Sequence, residues 1–129
     1  ENISKSYYDL ISKYQNYFNC YYPSKKIKSA WYRLYFFIRT DIKEYQKLRF
    51  KIIQDLRKNN LKCFTGSCPE IYLEKAFKKM NNSKIIRFKN CKTLGETSIA
   101  LEINHTLKYS QHRKKIFILK QVIDKIFKI

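Results

Sequence analysis

The residues of this chain best suited to chemistry are Thr65, Gly66 and Ser67, followed by Glu70 and Tyr72. They lie where a short apolar run, Leu61 to Phe64, gives way to a helix-start signal, Ser67-Cys68-Pro69-Glu70. A helix N-terminus presents free backbone N–H groups and a partial positive charge, which suit a phosphate or a carboxylate. Gly66 would let such a group approach the backbone, and Tyr72 could stack or hydrogen-bond beside it. The plainer alternative is that Ser67 caps the helix while Glu70 reciprocates, with Tyr72 serving in packing; the two roles are compatible.

Other reactive types fit structural roles better. The four cysteines, Cys20, Cys63, Cys68 and Cys91, contain no C-x-x-C pair, and His105 and His112 do not complete a zinc pattern, so no metal site is expected. Cys68 near a helix start is where a thiol pKa can fall, against the simpler reading of a semi-buried inert thiol. His105 reads as a surface residue, and Glu96 with Thr97 and Ser98 as a turn or cap. The pairs Lys25-Lys26, Lys78-Lys79 and Lys114-Lys115 read as solvated faces, or else as electrostatic attractors for a nucleotide diphosphate or nucleic acid.

These residues need elements to hold them. Ile3, Tyr7, Leu10, Tyr14 and Tyr17 step by three and four, predicting a helix over residues 1–18 with a loop to Lys28. Ala30 to Ile38 is dense in aromatic and β-branched residues and predicts a buried strand, with Trp31 in the core. Asp41 and Glu44 have capping-box spacing ahead of a helix over Tyr45 to Lys58, which Asn59-Asn60 stops. A strand over Leu61 to Phe64, a helix from Ser67 to about Lys79 and a loop over Met80 to Lys84 follow. A short helix ended by Gly95, a strand over Ile99 to Ile103 and a helix over Ser110 to Lys128 complete the chain. Strands alternating with helices predict a small α/β (α+β-like) domain. Its sheet has three to four strands covered mainly on one face, with a long C-terminal helix. No Gly-rich turn follows any strand, so a doubly wound nucleotide-binding unit is not expected.

The whole chain, 129 residues, suits one domain: 1–28 a leading helix and loop, 29–129 the body. Its 44% apolar and 16% aromatic content belongs to a folded chain. No apolar run is long enough to span a bilayer and no signal pattern opens the sequence, so a cytoplasmic protein with no membrane partner is expected. Glu1 in the place of an initiating Met suggests a processed product or a piece of a longer chain. The net charge of +18 suggests anionic partners, but it comes from 22 Lys and only 6 Arg, in a chain also rich in Ile, Asn, Tyr and Phe, whose codons are A/T-rich. Specific phosphate and base readers lean on Arg, so nucleic acid is the less favoured partner.

Two segments resemble a known family. Cys63 to Phe77, CFTGSCPEIYLEKAF, is similar to the GSC-[SP]-EIY-x-E-x-AF stretch of DegT/DnrJ-type aminotransferases, and Leu94 to Leu107, LGETSIALEINHTL, to their LGETS-strand-HPTL stretch. Arg87-Phe88 and the aromatic strand SAWYRLYFFIR, Ser29 to Arg39, fit as well, so the resemblance covers Ser29 to Ile129 in order. It departs at Asn104-His105, where the family has His-Pro, at Lys89, which replaces a common Pro, and at Tyr109 to Arg113, which replace acidic residues and put positive charge near a helix N-terminus.

The resemblance implies the C-terminal small domain of a fold-type I enzyme that uses pyridoxal phosphate (PLP) on a nucleotide-linked keto or amino sugar. In that family the large domain supplies the Schiff-base lysine, the carboxylate facing the pyridinium nitrogen and the phosphate cup. None of the lysines here has the family's serine- and glycine-flanked context, and Gly66 and Gly95 are the only glycines. The expectation is a domain with no catalytic or cofactor-binding residue of its own, inactive in transamination without a large domain and a homodimer partner. Substrate contacts would fall to Thr65, Gly66, Ser67 and Tyr72. The rival expectations are a stand-alone basic module for nucleic acid and a non-catalytic scaffold. Under the family reading, an exposed apolar face along Tyr7, Leu10 and Tyr14 would receive the large domain.

Overall fold

The strand Arg33–Ile38 sets the architecture, because its side chains alternate between half-buried and buried along its length. Leu34, Phe36 and Ile38 point to one face and Arg33, Tyr35 and Phe37 to the other. In the computed structural model, which describes residues 3–66, 68–78 and 86–129, this strand is β2 of a four-stranded antiparallel sheet.

The elements run α1 (Ile3–Ser12), β1 (Phe18–Cys20), β2, α2 (Tyr45–Lys58), β3 (Cys63–Phe64), a 3-10 turn (Ile71–Leu73), α3 (Lys75–Lys78), α4 (Lys89–Thr97), β4 (Ser98–Glu102) and α5 (Tyr109–Phe127). The sheet order is β1-β2-β4-β3. Register places Phe36 opposite Ile99 and Leu34 opposite Leu101, so these four share the covered face. Phe18 joins them opposite Ile38, and Cys63 opposite Leu101. Tyr7, Leu10 and Ile11 of α1, Ile52, Ile53 and Leu56 of α2, and Leu119, Val122 and Ile123 of α5 are buried against them. All three helices therefore lie on one side of the sheet. The other side carries Arg33, Tyr35, Phe37, Ser98, Ala100, Glu102 and Phe64.

The expected architecture is observed: a small α/β domain with a four-stranded sheet and a long last helix. The helix Tyr45–Lys58 is found at its expected bounds, and Asn60 at φ 59 supplies its left-handed stop.

Several local expectations are corrected. The first helix ends at Ser12, because Phe18 pairs with Ile38 as a strand that three residues were too few to announce. Tyr7, Leu10 and Tyr14 do not form an exposed docking face; at 1%, 8% and 9% exposure they are core. Trp31, expected in the core, is half-buried and stacks on Tyr22 with ring centroids 5.1 Å apart. The capping box of Asp41 and Glu44 does not form, because Arg39 holds the Asp41 carboxylate with two hydrogen bonds, at 3.1 and 2.8 Å. Glu44 itself sits at φ 56 and pairs with Lys47. Gly95 does not end its helix, which runs on to Thr97.

Candidate functional site

The two motif segments come from opposite ends of the β3–β4 connection, and they pack on each other. Ser98, first residue of β4, donates its hydroxyl to the Thr65 carbonyl at 2.6 Å. Arg49, reaching out from α2, donates Nη2 to the same carbonyl at 3.2 Å and Nε to the Ser98 carbonyl at 2.8 Å. A guanidinium presents parallel donors in a rigid fork, so one side chain ties both segments to α2. Burial lowers the Arg49 pKa, and the nearby Glu96 opposes that shift.

Both glycines lie at this contact. Gly66 has φ +93, which side chains rarely tolerate, and a Cβ there would stand 2.9 Å from Ser98 Oγ and 3.3 Å from Tyr35 Cε1. A Cβ at Gly95 would stand 2.4 Å from Pro69 Cγ. Glycine at 95 is therefore required by the approach of Pro69 and not by helix termination. Thr97 bonds the Thr93 carbonyl at 2.7 Å, and Glu96 accepts from the Tyr45 hydroxyl at 3.0 Å, the structural duties expected of them.

A second cluster lies just beyond. Arg87 grips Glu70 with two donors, Nε to Oε1 at 2.9 Å and Nη2 to Oε2 at 2.5 Å. The Tyr72 hydroxyl donates to Glu70 Oε1 at 2.8 Å and accepts the Phe88 N–H at 3.1 Å, while the two rings meet edge-on at 5.5 Å. Arg87 first, then the Tyr72 hydroxyl, hold the Glu70 pKa down to about 2. Glu70 is thus an anchor for the 87–88 segment. The residues after it form a 3-10 turn and the short α3 in place of one continuous helix from Ser67 to Lys79. Ser67 and Lys79 lie outside the described residues.

Of the four expected substrate contacts, the structure places Thr65 and Gly66 together at the Arg49–Ser98 junction, and Tyr72 in the separate cluster with Glu70. The Thr65 carbonyl is occupied twice by protein donors, which leaves its exposed side chain to face solvent. Cys68 is exposed and not semi-buried, and its thiol donates to Glu74 Oε1 at 3.2 Å. That bond raises its pKa, the reverse of what a helix start would do. His105 is exposed and bonds the Trp31 carbonyl at 3.0 Å. Sequence reasoning missed Arg49; nothing in its local pattern separates it from the other basic residues of α2.

Among the described residues no glycine-rich cradle and buried lysine of the kind PLP needs come together. Both glycines are committed to internal contacts, and the lysines whose burial is described are exposed, Lys115 alone being half-buried. No group of three or more His, Cys, Asp or Glu capable of holding a metal ion occurs among them, and none of the described helices is long and apolar enough to cross a membrane.

No protein-family model and no curated protein matches the sequence. Solved structures do. The aminotransferase from Psychrobacter cryohalolentis superposes with a TM-score of 0.79 at 28% identity, over 97% of this chain and 32% of that one. A DegT/DnrJ/EryC1/StrS aminotransferase from Brucella abortus gives a TM-score of 0.67 at 12% identity, over 92% of this chain and 29% of that one. A putative sugar aminotransferase from Streptococcus pneumoniae, in its PMP form, gives 0.67 at 16% identity, over 96% and 31%. The last two establish likeness of fold alone. The chain spans about a third of the length of these structures. In its motifs and its fold, this chain is similar to about a third of an aminotransferase of the DegT/DnrJ type.

Proposed function

We propose that the chain serves as the substrate-covering domain of a PLP-dependent aminotransferase acting on a nucleotide-linked keto or amino sugar. The reading is supported above all by the junction of the two family-like motifs, where Gly66, Thr65 and Ser98 meet under Arg49. A loop held by three hydrogen bonds to one carbonyl pair keeps its shape when a ligand arrives, which favours positioning over adaptation. The electron-sink chemistry belongs to PLP. In this reading the lysine, the pyridinium carboxylate and the phosphate cup come from a large domain, and a homodimer partner completes the site. Thr65, Gly66, Ser67 and Tyr72 then line the small-domain side, in a cytoplasmic enzyme.

A chimera tests the reading. This chain replaces the matching third of the Psychrobacter enzyme, and turnover of that enzyme's own substrate is measured. The reading expects transamination from the chimera and none from the chain alone. A chimera that folds and holds PLP yet turns nothing over would count against it.

A further inference from the structure

The stretches in which this chain departs from the aminotransferase pattern meet on one side of the molecule. His105, Tyr109, His112 and Arg113 stand in those stretches, and all four line a trough where the start of α5 meets α1. Its wider end, about 520 Å³, is also lined by Ile3, Trp31 and Leu107, and its narrower end, about 350 Å³, by Ser6, Ile116 and Phe117. Tyr109 and His112 belong to both ends, so the two form one continuous groove. His112 is buried and meets Tyr7 of α1 edge-on at 5.3 Å, which ties the two helices together beneath the groove.

The rim is apolar and basic. Tyr109 and Phe117 are 60% and 57% exposed and stand about two turns apart on α5. Arg113 lies midway between them, its guanidinium 5.8 Å from the Tyr109 ring centroid. A ring face steadies a guanidinium without consuming its N–H donors. Arg39 and Arg87 hold carboxylates, and Arg49 and Arg57 hold backbone carbonyls. No ion pair joins Arg113 to a carboxylate among the described residues. The carboxylates of α1 and α5, Asp9 and Asp124, are already held by Lys5 and Lys120.

Charge and shape select the occupant. Two copies of the chain, each at +18, repel one another. A bilayer surface is flat, whereas Ile3, Leu107 and Ile116 line a concavity. Base stacking uses ring faces, and here Trp31 is stacked on Tyr22 while Arg113 stands over Tyr109. An apolar groove suits the apolar face of an amphipathic helix, and a carboxylate on that helix matches the arginine fork.

We propose that this trough docks an acidic amphipathic helix of a partner protein, with apolar anchors between Tyr109 and Phe117 and a carboxylate on Arg113. The site shares no residue with the Thr65–Gly66 junction and does not rest on the function proposed above.

The test is selection of helical peptides from a display library against the full chain. NMR titrations follow with the strongest binder, with phosphatidylserine vesicles and with oligo-dT. The expected binders carry Asp or Glu beside apolar residues three to four apart, and move the amides of residues 3–6 and 109–117 saturably. Arg113→Glu should weaken peptide binding about tenfold or more, and Phe117→Ala about fivefold or more. Lys51→Glu, the same change of charge at an exposed position of α2, should alter it less than about threefold. All three side chains are exposed, so the variants keep the fold. A library that yields no binder, binders without acidic residues, equal weakening by Arg113→Glu and Lys51→Glu, or shifts confined to other surfaces overturn the proposal. Vesicles or oligo-dT that move these amides when the peptides do not would overturn it as well.

Discussion

The two faces of the sheet are built on different principles. On one face Leu34, Phe36, Ile38, Ile99 and Leu101 meet three helices, and nearly every contact is apolar and buried. On the other, and around its edge, short elements are held by directed bonds: Arg49 to two carbonyls, Ser98 to Thr65, Arg87 to Glu70, Arg33 between two rings. The first face draws on the hydrophobic effect, which is large and indifferent to residue identity so long as volume is kept. The second draws on hydrogen bonds of modest net worth but strict geometry. Stability resides mainly in the first, and the identity of the domain in the second.

That contrast can be broken most forcefully at Phe36, which is fully buried between β1 and β4. Phe36→Ala should cost about 3–5 kcal/mol in denaturant unfolding, and a loss under about 1 kcal/mol would mean the covered face is not the stabilising one. Gly66→Ala is the sharper probe of the other face. Strain at φ +93 and the close Ser98 hydroxyl should cost about 1–3 kcal/mol, with backbone amides moving around Ser98 and Arg49. Equal stability of that variant would show that the motif junction is loose.

The smallest expected effect is the pH response of the Glu70–Arg87 pair, which is surface-placed and screened. Because its folded pKa, about 2, lies below the ordinary carboxylate value near ~4.3, the pair contributes fully above that value. Its contribution is lost as pH falls through the folded value. Hydrogen exchange at the Phe88 amide, which bonds the Tyr72 hydroxyl, should therefore quicken relative to core amides as the solution is acidified. The same acid dependence in Glu70→Gln would show that some other group is responsible.

The same division explains what the sequence revealed. The helix Tyr45–Lys58 and the alternation in β2 follow from apolar periodicity, which reports burial against a face and so was legible. β1 escaped notice because three residues carry no period, and its pairing with β2 is a tertiary fact. The capping expectation at Asp41 failed because Arg39, two residues before it, holds its carboxylate, and the Glu70 carboxylate is held by Arg87, from beyond the α3 segment. Gly95 was misread because a glycine looks the same whether it ends a helix or admits a proline ring. Family-like motifs marked Thr65, Gly66 and Tyr72 for attention. Only the fold divides them between two clusters and brings Arg49 into view.

The central claim, that cofactor chemistry lies outside this chain, is tested most directly by trapping. The chain is mixed with stoichiometric PLP, reduced with borohydride, and mapped by peptide mass spectrometry. The account predicts low labelling scattered over many of its exposed lysines. One lysine labelled fully at low PLP would contradict it.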